Sequence, residues 1–279
     1  MPAFYLFRLK AIRSKQSPLF EEKISRRDFL SELISKKPSS EIREGYVWHI
    51  GNIQPVGNDG LLFAVGRTTK SSKEKYDEIS GDFLQIDDEE APFTYVLYDL
   101  VHSVIAISPK ARLSPIVKGV ARSIEKLFNE QPYTHDNGVR IEVAEISDPE
   151  GFIDQIRSAF AVVGFTVEFG EPNPFDVEKD FHEPMEKYLQ SAGGEKGKTN
   201  IQGADLNRDT LEELTRSVAS TGNEATARIR KRKGQRPITK HMKGDPVSVR
   251  VEEFGVPEKA TKLLSKIKEA YQRVRKHDE

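Results

Sequence analysis

FTYVLYDL (Phe93–Leu100) and SVIAIS (Ser103–Ser108) are the two most strand-like segments of the sequence. β-branched and aromatic residues dominate both segments, and only Val101 and His102 separate them. That composition and spacing predict two antiparallel strands joined by a tight turn. The two segments therefore place a β-sheet at the centre of the fold, and the flanking sequence shows what surrounds it.

The segments that follow alternate between helix and strand signals. Ser114-Pro115 has the cap-then-proline pattern of a helix start, with apolar residues at helical spacing through Phe128. Residues 147–150 repeat the pattern before a second helix, Pro149–Phe160. Val139–Ile146 and Ala161–Gly170 are predicted strands. The order from residue 93 is therefore β-β-α-β-α-β, which predicts a mixed sheet with packed helices.

The preceding segments repeat this alternation. Phe4–Ile12 is a predicted strand, and Ser25–Lys37 is a predicted helix with Ser25 as its N-cap. Tyr46–Ile53 and Leu61–Thr68 are predicted strands joined through an Asn-Asp-Gly turn. The predicted fold class is α+β, a mixed and largely antiparallel sheet with helices on one face. Two ferredoxin-like units in series are one arrangement of these elements.

The predicted domain organisation is an α+β core, residues 1–170, followed by a loop-rich basic region, residues 171–279. The core divides into sub-units 1–69 and 93–170. The polar residues 70–92 between them are interpreted as an excursion or a spacer, in the form of a solvated loop. The Pro-punctuated residues 171–176 predict a linker or docking loop.

The C-terminal region combines short helices with loops. Its predicted elements are a short helix (182–190), a glycine-rich loop (193–203), a helix (Leu206–Ala219), a strand (Pro246–Val251) and an amphipathic helix (Pro257–Lys276). The last helix has a continuous apolar stripe, which needs a partner. We expect it to pack on its own core, and a homo-oligomer or a protein partner is the alternative.

Composition excludes several classes of protein. The 279 residues carry a net charge of −1, so the chain is no bulk polycation. It has no cysteine, which excludes disulfides, thiol nucleophiles and thiolate zinc sites. No apolar run is long enough for a membrane span, and Arg8 and Lys10 interrupt the apolar N-terminus too early for a signal peptide. We expect a cytoplasmic protein without a membrane partner.

One stretch breaks the charge balance: RIRKRKGQRPITKHMK, Arg228–Lys243, holds eight cations and no acid. The cations are Arg228, Arg230, Lys231, Arg232, Lys233, Arg236, Lys240 and Lys243. Such density is typical of a surface that binds phosphates, because neutralising them releases counterions. The stretch predicts backbone contact with DNA or RNA, in a larger nucleoprotein or defence-type assembly. A solvated loop, or a surface for an acidic protein partner, is the alternative.

AGGEKGKT, Ala192–Thr199, resembles a phosphate-binding loop with Ala in place of the first Gly. A working loop of that kind needs a strand before it and a helix directly after it. Neither is predicted here, so we interpret the match as incidental. Lys196, Lys198 and Thr199 remain candidate phosphate contacts, and a nucleotide-using enzyme remains an alternative function.

A metal-dependent nuclease is the other enzymatic alternative, because carboxylates on separate strands could bind Mg²⁺. Asp99, Glu142 and Glu168 lie on predicted strands, but nothing in the sequence brings them together. The six histidines are scattered, and none is paired at the spacing of metal ligands on a helix. No cofactor or metal is therefore predicted, and Mg²⁺ enters only with the nuclease hypothesis.

Overall fold

The computed structural model describes residues 3–13, 24–170, 188–189, 191–192, 194, 196–251 and 257–275. Within them the chain forms six helices and thirteen strands, which confirms the predicted α+β class. The helices are α1 (Arg26–Ser35), α2 (Val117–Asn129), α3 (Pro132–Asp136), α4 (Glu150–Arg157), α5 (Arg208–Ser220) and α6 (Pro257–Arg275). No helix in this part of the chain is long and apolar enough to cross a membrane.

The strands form two antiparallel sheets of nine and four strands. They are β1 (Ala3–Arg13), β2 (Ser39–Arg43), β3 (Tyr46–Val56), β4 (Gly60–Asp77), β5 (Asp82–Glu90), β6 (Phe93–Asp99), β7 (Val104–Ile107), β8 (Val139–Glu145), β9 (Ala161–Gly170), β10 (Lys196–Gln202), β11 (Ala225–Arg230), β12 (Ile238–His241) and β13 (Ser248–Arg250).

The larger sheet has the order β13-β1-β7-β6-β4-β3-β2, with β8 also paired to β1 and β5 to β4. The predicted pair at 93–108 is β6 and β7, in the register Val96↔Ile107. All four residues of β7 are buried, as expected of a strand that is covered on both faces. Strands from both predicted sub-units of the core lie in this one sheet.

Helices cover both faces of the larger sheet and not one face as predicted, because the C-terminal helix packs on the second face. Phe7 and Leu9 of β1 pack with α1 and α2 on one face. Phe4 and Leu6, which alternate with them, pack with α6 on the other face. The apolar stripe of α6 therefore packs on the chain's own sheet, as predicted.

The smaller sheet has the order β10-β9-β11-β12 and is covered on one face. Phe165 of β9 and Ile229 of β11 pack there against α4 and α5, with Phe152 and Leu211 among the helix contacts. Most of the residues that alternate with these core positions are polar and exposed or half-exposed, such as Thr166, Glu168 and Arg228, whereas Gly164 is buried. We call this second surface of the smaller sheet the open face.

Two segments predicted as loops are strands. Residues 70–92 form most of a hairpin in which β4 and β5 pair without interruption from Thr69↔Glu90 to Asp77↔Asp82. The glycine-rich residues 196–202 form β10, which pairs with β9. Gly197 is there because Phe169 crosses it: a Cβ on Gly197 would lie 2.4 Å from the ring of Phe169.

Other boundaries differ less. β2 was not predicted, because Ser39–Arg43 has no apolar alternation strong enough to indicate a strand. α2 begins at Val117 and α4 at Glu150, each within two residues of its prediction. The predicted linker 171–176 and most of the predicted helix 182–190 lie outside the described residues.

Candidate nucleic-acid interface

The basic stretch is mostly a β-hairpin. β11 and β12 pair from Thr226↔His241 to Ile229↔Ile238, and residues 231–237 form the loop between them. We call Ala225–His241 the basic hairpin. Gly234 has a φ of +78°, a left-handed conformation that favours glycine, so the loop turns at this residue.

Two of the eight cations project from the open face. Arg228 and Arg230 alternate along β11 with Ala227 and Ile229, which are buried against the helices. Arg228 is exposed, and its Cβ and Cδ lie 3.5 Å from where a Cβ of Gly164 would be. The aliphatic part of Arg228 therefore rests on the backbone of the sheet, which supports its charged end.

The other six cations divide between the loop and two separate places. Lys231, Arg232, Lys233 and Arg236 are exposed in the loop, next to Arg230. Lys240 pairs with Ala227 across the hairpin, so it lies on the helix side of the sheet. Lys243 follows β12 at the end of the hairpin away from the loop. The structure therefore brings six cations together at one end of the smaller sheet.

None of the eight cations forms an ion pair with an Asp or Glu of the described chain. Arg230 also has a buried Nε that finds no hydrogen-bond partner there. Most charged groups that are buried away from water are ion-paired or hydrogen-bonded. The positive charge of the basic hairpin is thus not neutralised by described residues and is open to an anionic ligand.

The candidate phosphate contacts in β10 are arranged differently. Lys198 lies 2.9 Å from Glu168, and the hydrogen bond with that carboxylate raises the pKa of Lys198. Lys196 lies 3.5 Å from Glu142. Thr199 is in the middle of an extended strand, and the next helix begins only at Arg208. The segment therefore lacks the geometry of a phosphate-binding loop.

Lys198 and Arg228 share the open face but lie far apart on it. They pair with Glu168 and Gly164, four residues apart along β9. That separation is about 13 Å along the strand, at roughly 3.3 Å per residue. The lysines of β10 are thus outside the compact group of cations at the loop.

The carboxylates of the nuclease hypothesis are not brought together. Asp99 is fully buried, and its carboxylate lies 2.6 Å from Nδ1 of His102. Glu142 contacts Lys10 and Lys196, and Glu168 belongs to the other sheet. The described residues contain no group of three His, Asp or Glu residues that could bind a metal ion.

Glu142 and Lys10 form an ion pair in the larger sheet. Burial lowers the pKa of Lys10, whose Nζ contacts Glu142 at 3.2 Å and Asn223 at 3.3 Å. Burial alone would raise the pKa of Glu142, but the charges of Lys10 and Lys196 outweigh it and hold that pKa below its usual value. Lys10 and Glu142 therefore compensate each other's charge.

Two residues beside the basic hairpin, Phe160 and Arg208, were not predicted as functional residues. Phe160 is 51% exposed, and its backbone N–H donates to the carbonyl oxygen of Arg230 at 2.9 Å. Arg208 donates to the carbonyl oxygens of Ala159 and Phe160 and pairs with Asp205. An exposed ring next to cations can stack on a nucleic-acid base. Phe160 was not predicted as a functional residue because it was predicted to be the last residue of a helix.

No protein-family model matches the sequence, and no curated protein matches it. The functional conclusion therefore rests on the charge, exposure and strand register of the residues described above.

Proposed function

We propose that the protein binds the sugar–phosphate backbone of nucleic acid through the basic hairpin. The observation that carries the proposal is the group of six cations at the loop end of the smaller sheet, without an acidic partner among the described residues. Each phosphate that a Lys or Arg neutralises releases counterions, which drives association. A loop that projects from a sheet can lie along the sugar–phosphate backbone of a nucleic acid and contact several phosphates.

The expected binding mode is backbone contact with little sequence preference. Arg side chains bind phosphate oxygens in a bidentate geometry, and four of the eight cations are Arg. The loop presents no aromatic side chain, and Phe160 offers a single stacking surface. We further propose that the protein acts in the cytoplasm, as a component of a larger nucleoprotein or defence-type assembly.

The alternatives receive less support from the geometry. AGGEKGKT leads into a strand, and the carboxylates of the nuclease hypothesis contact lysines or a histidine and lie on different sheets. An acidic protein partner would use the same basic hairpin. It differs from nucleic acid in having no evenly spaced phosphates along a long strand.

The test measures the affinity for a fluorescent DNA or RNA oligonucleotide across a range of salt concentrations. If the hairpin contacts four to six phosphates, the slope of log K against log salt is about −4 to −5 on duplex DNA. The triple variant R232E/K233E/R236E is expected to lose about 100-fold or more in affinity, because it replaces attraction with repulsion.

A matched control makes the same change in net charge elsewhere. K110E/R122E/K262E reverses three exposed cations outside the basic hairpin, and we expect a much smaller loss of affinity. The proposal is overturned if no binding is detected at low salt, or if the affinity does not change with salt concentration. Equal losses in the two triple variants overturn the assignment to the hairpin. Tight binding to polyglutamate but not to nucleic acid supports the acidic-partner alternative.

A further inference from the structure

The hairpin of β4 and β5 extends beyond the larger sheet. β3 stops pairing with β4 at Val47↔Thr68, and β6 stops at Gly66↔Phe93. From Thr69 to Glu90 the two strands pair only with each other, in nine residue pairs. This segment, which we call the acidic arm, is about 30 Å long at roughly 3.3 Å per residue.

The acidic arm exposes large apolar side chains that have no cover. A two-stranded ribbon alone is marginally stable in water, and it has two unpaired edges. Ile79 at the turn is 97% exposed, and Phe83 is 82% exposed with its ring 5.1 Å from that of Tyr76. Leu84 and Ile86 are exposed on the other side of the ribbon. Such a cluster on one projection indicates a contact surface for another molecule.

The net charge of the acidic arm limits which molecules can bind it. The arm has eight acids and three lysines, a net charge of −5. The acids are Glu74, Asp77, Glu78, Asp82, Asp87, Asp88, Glu89 and Glu90. Lys73 pairs with Asp88, and Arg112 from outside the arm pairs with Glu90, both near its base. Two arms would repel each other, and nucleic acid would repel the arm as well. Its partner must be basic and partly apolar.

The chain itself carries such a surface. The basic hairpin has seven cations and no acid, and Ile238 on its second strand is 40% exposed. The acidic arm belongs to the larger sheet and the basic hairpin to the smaller one. No ion pair among the described residues joins the two. Their complementary charges are therefore available to a neighbouring molecule.

We propose that the acidic arm of one copy docks on the basic hairpin of a second copy of this chain. Exchange in both directions closes a twofold dimer, and exchange in one direction builds a longer chain of copies. The arm then covers the cations that were assigned above to nucleic acid, so the two ligands compete. The proposal itself does not depend on nucleic-acid binding.

The test measures molar mass in solution by light scattering after size exclusion, at low salt. Three proteins are compared: the unaltered chain, the arm variant E78K/D82K and the hairpin variant R232E/K233E. The unaltered chain is expected to associate, and each variant alone is expected to be monomeric. An equimolar mixture of the variants is expected to associate again, because the unaltered hairpin of the arm variant can bind the unaltered arm of the hairpin variant.

A second variant tests the apolar contribution. Phe83→Ser leaves the charge unchanged and is expected to weaken association, and raised salt should weaken it further through screening. Because these positions are exposed, circular dichroism and thermal midpoints should match those of the unaltered chain.

A monomeric unaltered chain at low salt overturns the proposal, as does association that persists in both charge variants. A mixture of folded variants that stays monomeric overturns it too. Failure here is distinct from failure of the proposed function. Under the proposed function, E78K/D82K keeps or gains affinity for nucleic acid whether or not the copies associate.

Discussion

The two sheets differ in how their charged residues are partnered. The larger sheet is covered on both faces, and most buried charged groups within it have partners: Arg8 donates to the carbonyl oxygen of His102 and to the hydroxyl of Tyr271. Nε of Arg67 on β4 is an exception, with no hydrogen-bond partner in the described chain. The smaller sheet is covered on one face, and Arg228 and Arg230 on its open face have no acidic partner in the described chain. Burial forces a charge to be satisfied within the protein, whereas an open face leaves it available to a ligand.

The same contrast separates stability from binding. Substitutions in the larger sheet should change the free energy of unfolding and affect binding only through loss of the folded state. Substitutions on the open face should change binding and leave the free energy of unfolding nearly constant. The predictions below test whether that separation holds.

The largest effect is expected for Phe63→Ala in the larger sheet. Phe63 is fully buried among the residues packed against α1 and α2, so its truncation leaves a cavity. The free energy of unfolding, measured by urea denaturation, should fall by about 3–5 kcal/mol. Thr226→Ala on the open face is the matched control, with a change within about 0.5 kcal/mol. A loss of under about 1 kcal/mol for Phe63→Ala would contradict its burial under α1 and α2.

Tyr271→Phe tests the buried arginine. The Tyr271 hydroxyl lies 2.8 Å from Nη1 of Arg8, and both side chains are fully buried. Without the hydroxyl the guanidinium loses a partner that water cannot replace, and the free energy of unfolding should fall by about 1–3 kcal/mol. Tyr76→Phe on the acidic arm, at a position that is half exposed, should cost almost nothing. Similar losses of unfolding free energy at the two positions would mean that the hydrogen bond between Tyr271 and Arg8 makes no special contribution to stability.

Local pattern was sufficient to predict most strands of the covered sheet, although β2 was missed. β6 and β7 are continuous apolar runs, and α2 repeats apolar residues at helical spacing, so each element carries its own signal. The acidic arm and β10 carry no such signal, because most of their residues are polar and their few apolar side chains do not form a buried face. Their extended form depends on cross-strand pairing, which a local window does not contain.

The candidate interface was predicted in composition but not in arrangement. Counting charges found all eight cations of the basic stretch. Their division between two faces depends on the register of β11 and β12, which sets Lys240 opposite Ala227. Phe160 joins the interface only through its hydrogen bond to Arg230, a contact between residues 70 positions apart. Such contacts follow from the folded sheet and not from the nearby sequence.

Glu142→Gln tests the paired charge of the larger sheet through pH. Lys10 and Lys196 hold the pKa of Glu142 below its unfolded value, so its ionised form stabilises the fold above that value. The stabilisation is lost as pH falls through the folded pKa. At about pH 7 the variant should be less stable by about 1–2 kcal/mol, the low end for charged hydrogen bonds because the carboxylate is partly exposed.

Urea denaturation of both proteins at neutral and acidic pH checks this prediction. The difference between them should shrink as pH falls, since Glu142 is then protonated in the unaltered chain as well. A difference that stays constant across the range would assign the effect to packing rather than to charge.

The smallest effect, and the sharpest test of the open face, compares Arg228→Ala with Lys240→Ala. Both positions lie on the basic hairpin, but Arg228 is on the open face and Lys240 is on the helix side. If nucleic acid lies on the open face, Arg228→Ala removes a phosphate contact and lowers the steepness of the salt dependence by about 1. Lys240→Ala should leave the slope unchanged, and neither variant should change the free energy of unfolding by more than about 0.5 kcal/mol. Equal changes in slope would mean that the ligand wraps around the edge strand β12, because only then could phosphates reach both faces.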